Sequence, residues 1–143
     1  MVGGMAMDPE LDPRPRIGGA YAFDGSVTIQ YAPELDGELD PGEIVWAWVP
    51  YQEDPTRGKD RPVVVLGRAD DTEGDFAVLM VSSKDHSGQR GWVGIGTGDW
   101  DRDRRASFVR TDRLLAVSPS AVRREGAAMT ADQFRAVVSA LDS

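Results

Sequence analysis

Three apolar stretches constrain this chain most: EIVWAWVP at 43–50, PVVVLGR at 62–68 and FAVLMVSS at 76–83. Each is too short and too β-branched for a core helix, and the first is apolar on both faces, as in a buried strand. A polar loop (51–60) separates the first two and the turn ADDTEGD the second pair. The remaining strand signals are shorter: WVGIG (92–96), ASFVRTD (106–112) and LLAVS (114–118), with exposed loops at 84–91 and 97–105. Ser118 and Pro119 read as the N-cap and first position of a short helix over SAVRRE. Thr130 and Gln133 form a capping-box pattern for a last helix, ADQFRAVVSALDS. Its residues Phe134, Val137, Val138 and Leu141 follow the spacing of one packed face. Five or six short strands and one terminal helix predict a small barrel-like α+β domain, mainly β.

With 143 residues, a single domain of ordinary size is expected. Residues 1–20 are rich in Pro, Gly and Asp, a composition that predicts disorder. Asp24-Gly25 gives a hairpin signal within 21–33, which could dock on the body as an extra strand. The stretch 34–43 reads as a linker. Residues 1–42 hold eight acidic and two basic residues, whereas 43–143 hold sixteen and fourteen, so the net charge of −8 belongs largely to the leader. The body is close to neutral and its basic residues are mostly Arg, the side chain suited to forked recognition of phosphate. Acidity of the whole therefore does not argue against a nucleic-acid partner. No apolar run approaches a membrane span and the N-terminus lacks a signal-peptide pattern, so a cytoplasmic location is expected.

Much chemistry is excluded by composition. There is no Cys, hence no disulfide, thiolate metal site or Cys nucleophile, and the single His, His86, rules out a multi-histidine metal site. The run Asp99-Trp-Asp101-Arg-Asp103 starts like a calcium loop but has Arg104 at the sixth position and Arg110 at the twelfth. Gly94-Ile-Gly96-Thr-Gly98 lacks the Lys and the helix of a phosphate loop. Ser82 and Ser83 have no nucleophile-elbow motif around them. What survives is a set of charged and hydroxyl side chains at strand ends. Arg61 opens a strong strand straight after a loop, with Pro62 fixing the backbone. Strand alternation puts Phe108, Arg110 and Asp112 on one face, and Ser82 and Ser83 end another strand. Taken singly, each could be a surface ion pair worth roughly 0–1 kcal/mol.

Taken in order, GEIVWAWVPYQEDPTRGKDRPVVVLGR, VLMVSSKDH and SFVRTDRLLAVSPSAV resemble the MazF/PemK family of type II toxin–antitoxin toxins. The likeness spans 42–143 and leaves an acidic leader, 1–41, outside; the long loops and IGTGDWD look like an actinobacterial branch. It implies an SH3-like barrel with a C-terminal helix, a homodimer, a cognate antitoxin partner, and metal-independent cleavage of single-stranded RNA with no cofactor. On this likeness the catalytic Arg of the R-P motif falls on Arg61, the catalytic Thr position on Ser82, and the Arg-x-Asp pair of the PemK branch on Arg110 and Asp112. RNA contacts are expected from Arg57, Lys59, Ser83, Lys84 and His86, with Tyr51, Trp92 and Trp100 available to stack bases. The PemK branch also has a His in the loop before the R-P motif. The loop here has none, leaving His86 either as its substitute or as an exposed loop residue. The competing expectation is a catalytically silent module of the same fold that binds protein partners.

Overall fold

The structure, a computed structural model, describes residues 19–29 and 39–141. The strands are β1 (Tyr21–Ala22), β2 (Val27–Thr28), β3 (Glu43–Pro50), β4 (Gly58–Ala69), β5 (Phe76–Ser82), β6 (Trp92–Gly96), β7 (Ser107–Arg110), β8 (Leu115–Val117) and β9 (Arg123–Ala128), followed by helix α1 (Ala131–Leu141). All pair antiparallel, in the order β1-β8-β5-β4-β3-β9. Strand β5 divides its partners: Phe76–Val78 pair with β8, whereas Val81 and Ser82 pair with β7, which in turn pairs with β6. This split bends one sheet into two leaves, giving the expected mainly β, α+β architecture.

The apolar runs are buried on both faces of the central strands. Val64, Leu66, Leu79 and Val109 join Phe134 and Val137 of α1 in one cluster; Val63, Val65, Val78, Leu115 and Val117 form the other. Strands covered on both sides need no polar alternation, and each buried Val or Leu contributes about 1.5–3 kcal/mol. The capping box forms as predicted: Gln133 N–H donates to Thr130 Oγ1 (3.1 Å) and Thr130 N–H to Gln133 Oε1 (2.9 Å). Gln133 Nε2 also donates to the carbonyls of Ile95 (2.8 Å) and Thr97 (3.1 Å), which docks the start of α1 on the end of β6.

Two sequence expectations are corrected. SAVRRE is helical only over Ser120 and Ala121, where the expected Ser118 cap and Pro119 start hold. Ser118 caps only a 3₁₀ turn, Pro119–Ala121, and the chain then becomes β9, paired with β3. The reason is tertiary. The otherwise open edge of β3 offers a hydrogen-bonding ladder, and Arg124 grips the buried Glu43 through Nε (2.7 Å) and Nη2 (3.0 Å). Nor do the two halves of the expected hairpin pair with each other: β1 pairs with β8 and β2 with the end of β4, so both dock on the body. Gly67 permits the second contact, because a Cβ there would lie 2.2 Å from the Thr28 carbonyl oxygen. Residues 1–18 and 30–38, which carry the rest of the leader expectations, lie outside the described residues.

Candidate active site

The last residue pair joining β4 to β5 is Val63 with Met80. Beyond it the strands part, β4 continuing beside β3 and β5 turning to β7. The opening is a cleft of about 980 Å³, lined among others by Lys59 and Arg61 from β4, Ser82, Ser83, Lys84 and His86 from the end of β5 and its loop, and Arg110 from β7. Seven of the nine predicted site residues therefore share one cleft. Asp112 does not line it but is tied to it, since Arg110 Nε donates to Asp112 Oδ1 at 2.6 Å. Arg57, exposed on the β3–β4 loop, does not line the cleft.

Charge in the cleft is mixed, but the carboxylates there are largely occupied. Asp60 pairs with Arg123, Asp99 with Arg104 and Asp101 with Arg105. Among the described residues, Lys59, Arg61 and Lys84 have no such ion pair, so cationic charge is left over for an anion. Ser82 Oγ accepts from the Lys84 N–H (3.1 Å), which leaves its own proton to donate. Arg113, which sequence reasoning missed, is half-buried behind the cleft. Its Nη2 donates to the Pro50 carbonyl (2.8 Å) and its Nη1 approaches Met80 Sδ (3.8 Å). Burial, and then the like charges of Arg110 and Arg61, hold it below the usual guanidinium range, with Glu53 opposing. Three guanidinium groups thus share one neighbourhood. Gln52 was also missed: its Oε1 accepts from Arg110 Nη2 at 2.8 Å across 58 residues of sequence. No local pattern announces such a contact.

The aromatic residues have separate fates. His86 stacks on Trp92 with centroids 3.6 Å apart and planes 1° from parallel, and its Nδ1 lies 2.8 Å from Gln89 Oε1. The ring is half-buried, with Trp92 on its face and Gln89 at its edge. Trp100 is buried and donates through Nε1 to Ser107 Oγ (2.9 Å), anchoring the β6–β7 loop, which corrects the expectation that it is free to stack bases. Tyr51 is half-buried and outside the cleft lining.

Both loops beside the cleft are stiffened by Asp side chains. Asp54 accepts from the Thr56 hydroxyl (2.6 Å) and N–H (3.2 Å), and Asp85 from the Ser87 hydroxyl (2.5 Å) and N–H (2.9 Å). These bonds, led in each case by the hydroxyl, hold both carboxyls below their ordinary value of 3.8. A lowered carboxyl pKa means that the folded loop favours the charged form. Its stabilisation is thus present above that ordinary value and is lost as the pH falls through the lower, folded one. The Thr56 and Ser87 amide proton shifts should accordingly titrate with midpoints below 3.8; midpoints above it would contradict the geometry.

Comparison with known proteins agrees with this layout. Residues 40–143 match the family described as PemK-like, MazF-like toxin of type II toxin-antitoxin system. The comparison with curated proteins found no match. Among solved structures, MazF (form I) from Deinococcus radiodurans superposes with a TM-score of 0.52 at 20% identity, covering 74% of this chain and 94% of that one. Among the described residues no helix is long and apolar enough to cross a membrane. An α+β fold shared with a MazF structure and a family match over most of its length lead to one assignment: the chain belongs to the PemK/MazF family of type II toxins.

Proposed function

We propose that this toxin is an endoribonuclease that cuts single-stranded RNA by attack of a ribose 2′-oxygen on the adjacent phosphate, without a metal. The observation that carries the reading is the convergence of Arg61, Ser82 and Arg110 on one cleft, with a carboxylate bonded to the last of them. Asp112, more than half of whose side chain is solvent-exposed, takes the 2′-hydroxyl proton. The 2′-oxygen bonds to phosphorus, and the phosphorane charge is met by Arg61, whose fork matches two phosphate oxygens. The bond to the 5′-oxygen breaks beside Arg110, whose charge stabilises the departing alkoxide until it takes a proton from water, while Asp112 returns its own proton to solvent. Products are a 2′,3′-cyclic phosphate and a 5′-hydroxyl. Ser82 donates to a phosphate oxygen, and Lys59, Ser83 and Lys84 hold the strand. In the cell this activity implies a cognate antitoxin that covers the cleft, and a homodimeric toxin located in the cytoplasm.

The test uses the full chain and a single-stranded RNA pool. Cleavage that persists in EDTA, and that stops when a 2′-deoxy nucleotide stands at the cut site, is the expected result. No cleavage under any condition, with no growth arrest on induced expression, would favour the silent binding module instead. Cleavage abolished by EDTA would overturn the metal-free chemistry.

A further inference from the structure

We propose that Gln52 is the positioning residue for Arg110, an assignment that rests on the nuclease reading for its catalytic meaning. The Nε–H and one Nη2–H of a guanidinium lie along a single edge, which a carboxylate commonly takes with both oxygens. Here those two nitrogens donate to different residues. Asp112 Oδ1 accepts from Nε at 2.6 Å, and Gln52 Oε1 accepts from Nη2 at 2.8 Å. Two acceptors from separate parts of the chain fix the guanidinium plane, and leave Nη1 and the second Nη2 hydrogen for a phosphate. Asp112 is bonded to Arg110 through Oδ1 alone, so its second oxygen is left for the proton it must take as base.

Gln52 can do this because its loop is built before any substrate arrives. Tyr51 N–H donates to the Arg57 carbonyl (2.8 Å), closing the loop on itself, and Arg57 N–H donates to the Asp54 carbonyl (3.0 Å). The strand residue just before the loop is held from outside by Arg113, through the Pro50 carbonyl (2.8 Å). The side chain of residue 52 therefore projects from a rigid base toward β7. A glutamine in this place has no charge to gain or lose, so it orients Arg110 without competing with the phosphate for it.

Two replacements of similar length separate positioning from loop support. Gln52→Leu removes the acceptor, and is expected to lower kcat about ten- to hundredfold with little change in KM, because a misdirected group costs the chemical step. Gln52→Glu keeps the acceptor and is expected to retain kcat, while its charge repels RNA and raises KM, most strongly at low salt. A second readout needs no activity: the Arg110 Nε–H signal in the NMR spectrum should be sharp in the parent and in Gln52→Glu, and broadened by exchange in Gln52→Leu. Equal losses of kcat in both variants, or an unchanged Arg110 signal in Gln52→Leu, would overturn the assignment. If the parent chain cleaves no RNA, the nuclease reading fails, and the NMR comparison still decides whether Gln52 holds Arg110.

Discussion

Arg61→Ala should cleave single-stranded RNA about 10²–10³ times more slowly than the parent chain, the usual cost of removing one preorganised donor from a developing oxyanion. Arg61 is half-buried in the cleft lining and has no ion pair among the described residues, so its loss breaks no ion pair of the fold. The melting temperature should hardly change, which separates a chemical defect from unfolding. Arg61→Lys keeps the charge and loses the fork, so an intermediate rate is expected. Arg110→Ala should fall at least as far, because it also leaves Asp112 without its 2.6 Å partner. The double variant should be far less impaired than the product of the two single effects, since both groups serve one transition state. Full activity in Arg61→Ala would remove it from the site.

A second large effect is expected from a single methyl group. Gly91 has φ +86°, and a Cβ there would sit 2.5 Å from Asp112 Oδ2, well inside contact distance. Gly91→Ala should therefore push the Asp112 carboxylate away from Arg110 Nε and lower the cleavage rate about 10²-fold, the order expected for a misplacement near 1 Å. Backbone strain at a positive φ adds a stability cost of about 1 kcal/mol. Gly88→Ala supplies the control: its φ is +71°, and nothing lies within 4 Å of the added atom. It should show a similar loss of stability, read by thermal unfolding, with the parent's cleavage rate. Equal rates in the two variants would mean that Asp112 does not act from where it stands.

The parts of the molecule that follow from local pattern were legible in the sequence. The apolar runs became β3, β4 and β5, and the Thr130–Gln133 pair capped α1. Arg61, Ser82 and Arg110 do share a cleft, because β4 and β5 part beyond the Val63–Met80 pair; Arg61, expected to open its strand, instead lies three residues inside β4, opposite Ala47 of β3. What failed depended on distant partners. Arg123–Ala128 has helix-forming Arg, Glu and Ala, yet it is extended, since the β3 edge and the Glu43 carboxylate outweigh a propensity difference of under about 1 kcal/mol per residue. At Asp24-Gly25 the chain bends without closing a hairpin turn, and nothing local could tell that the flanking strands pair with β8 and β4 instead of each other. Gln52 and Arg113 were invisible for the same reason. Each acquires a role only when the end of β3 and its loop meet the end of β7 and the residues that follow it.

The way the leader is sewn to the body bears on how the toxin is handled at the bench. Ala20 and Leu39 are sealed into the interior, the Ala20 amide satisfies the Trp48 carbonyl at 2.8 Å, and Tyr21–Ala22 cover the outer rim of Leu115–Ala116. A fragment trimmed to the family-matched range, 40–143, strips all of this away and bares a row of backbone donors and acceptors, the kind of surface that recruits neighbouring chains. A piece that keeps these contacts starts no later than Gly19, well before the family-matched range begins.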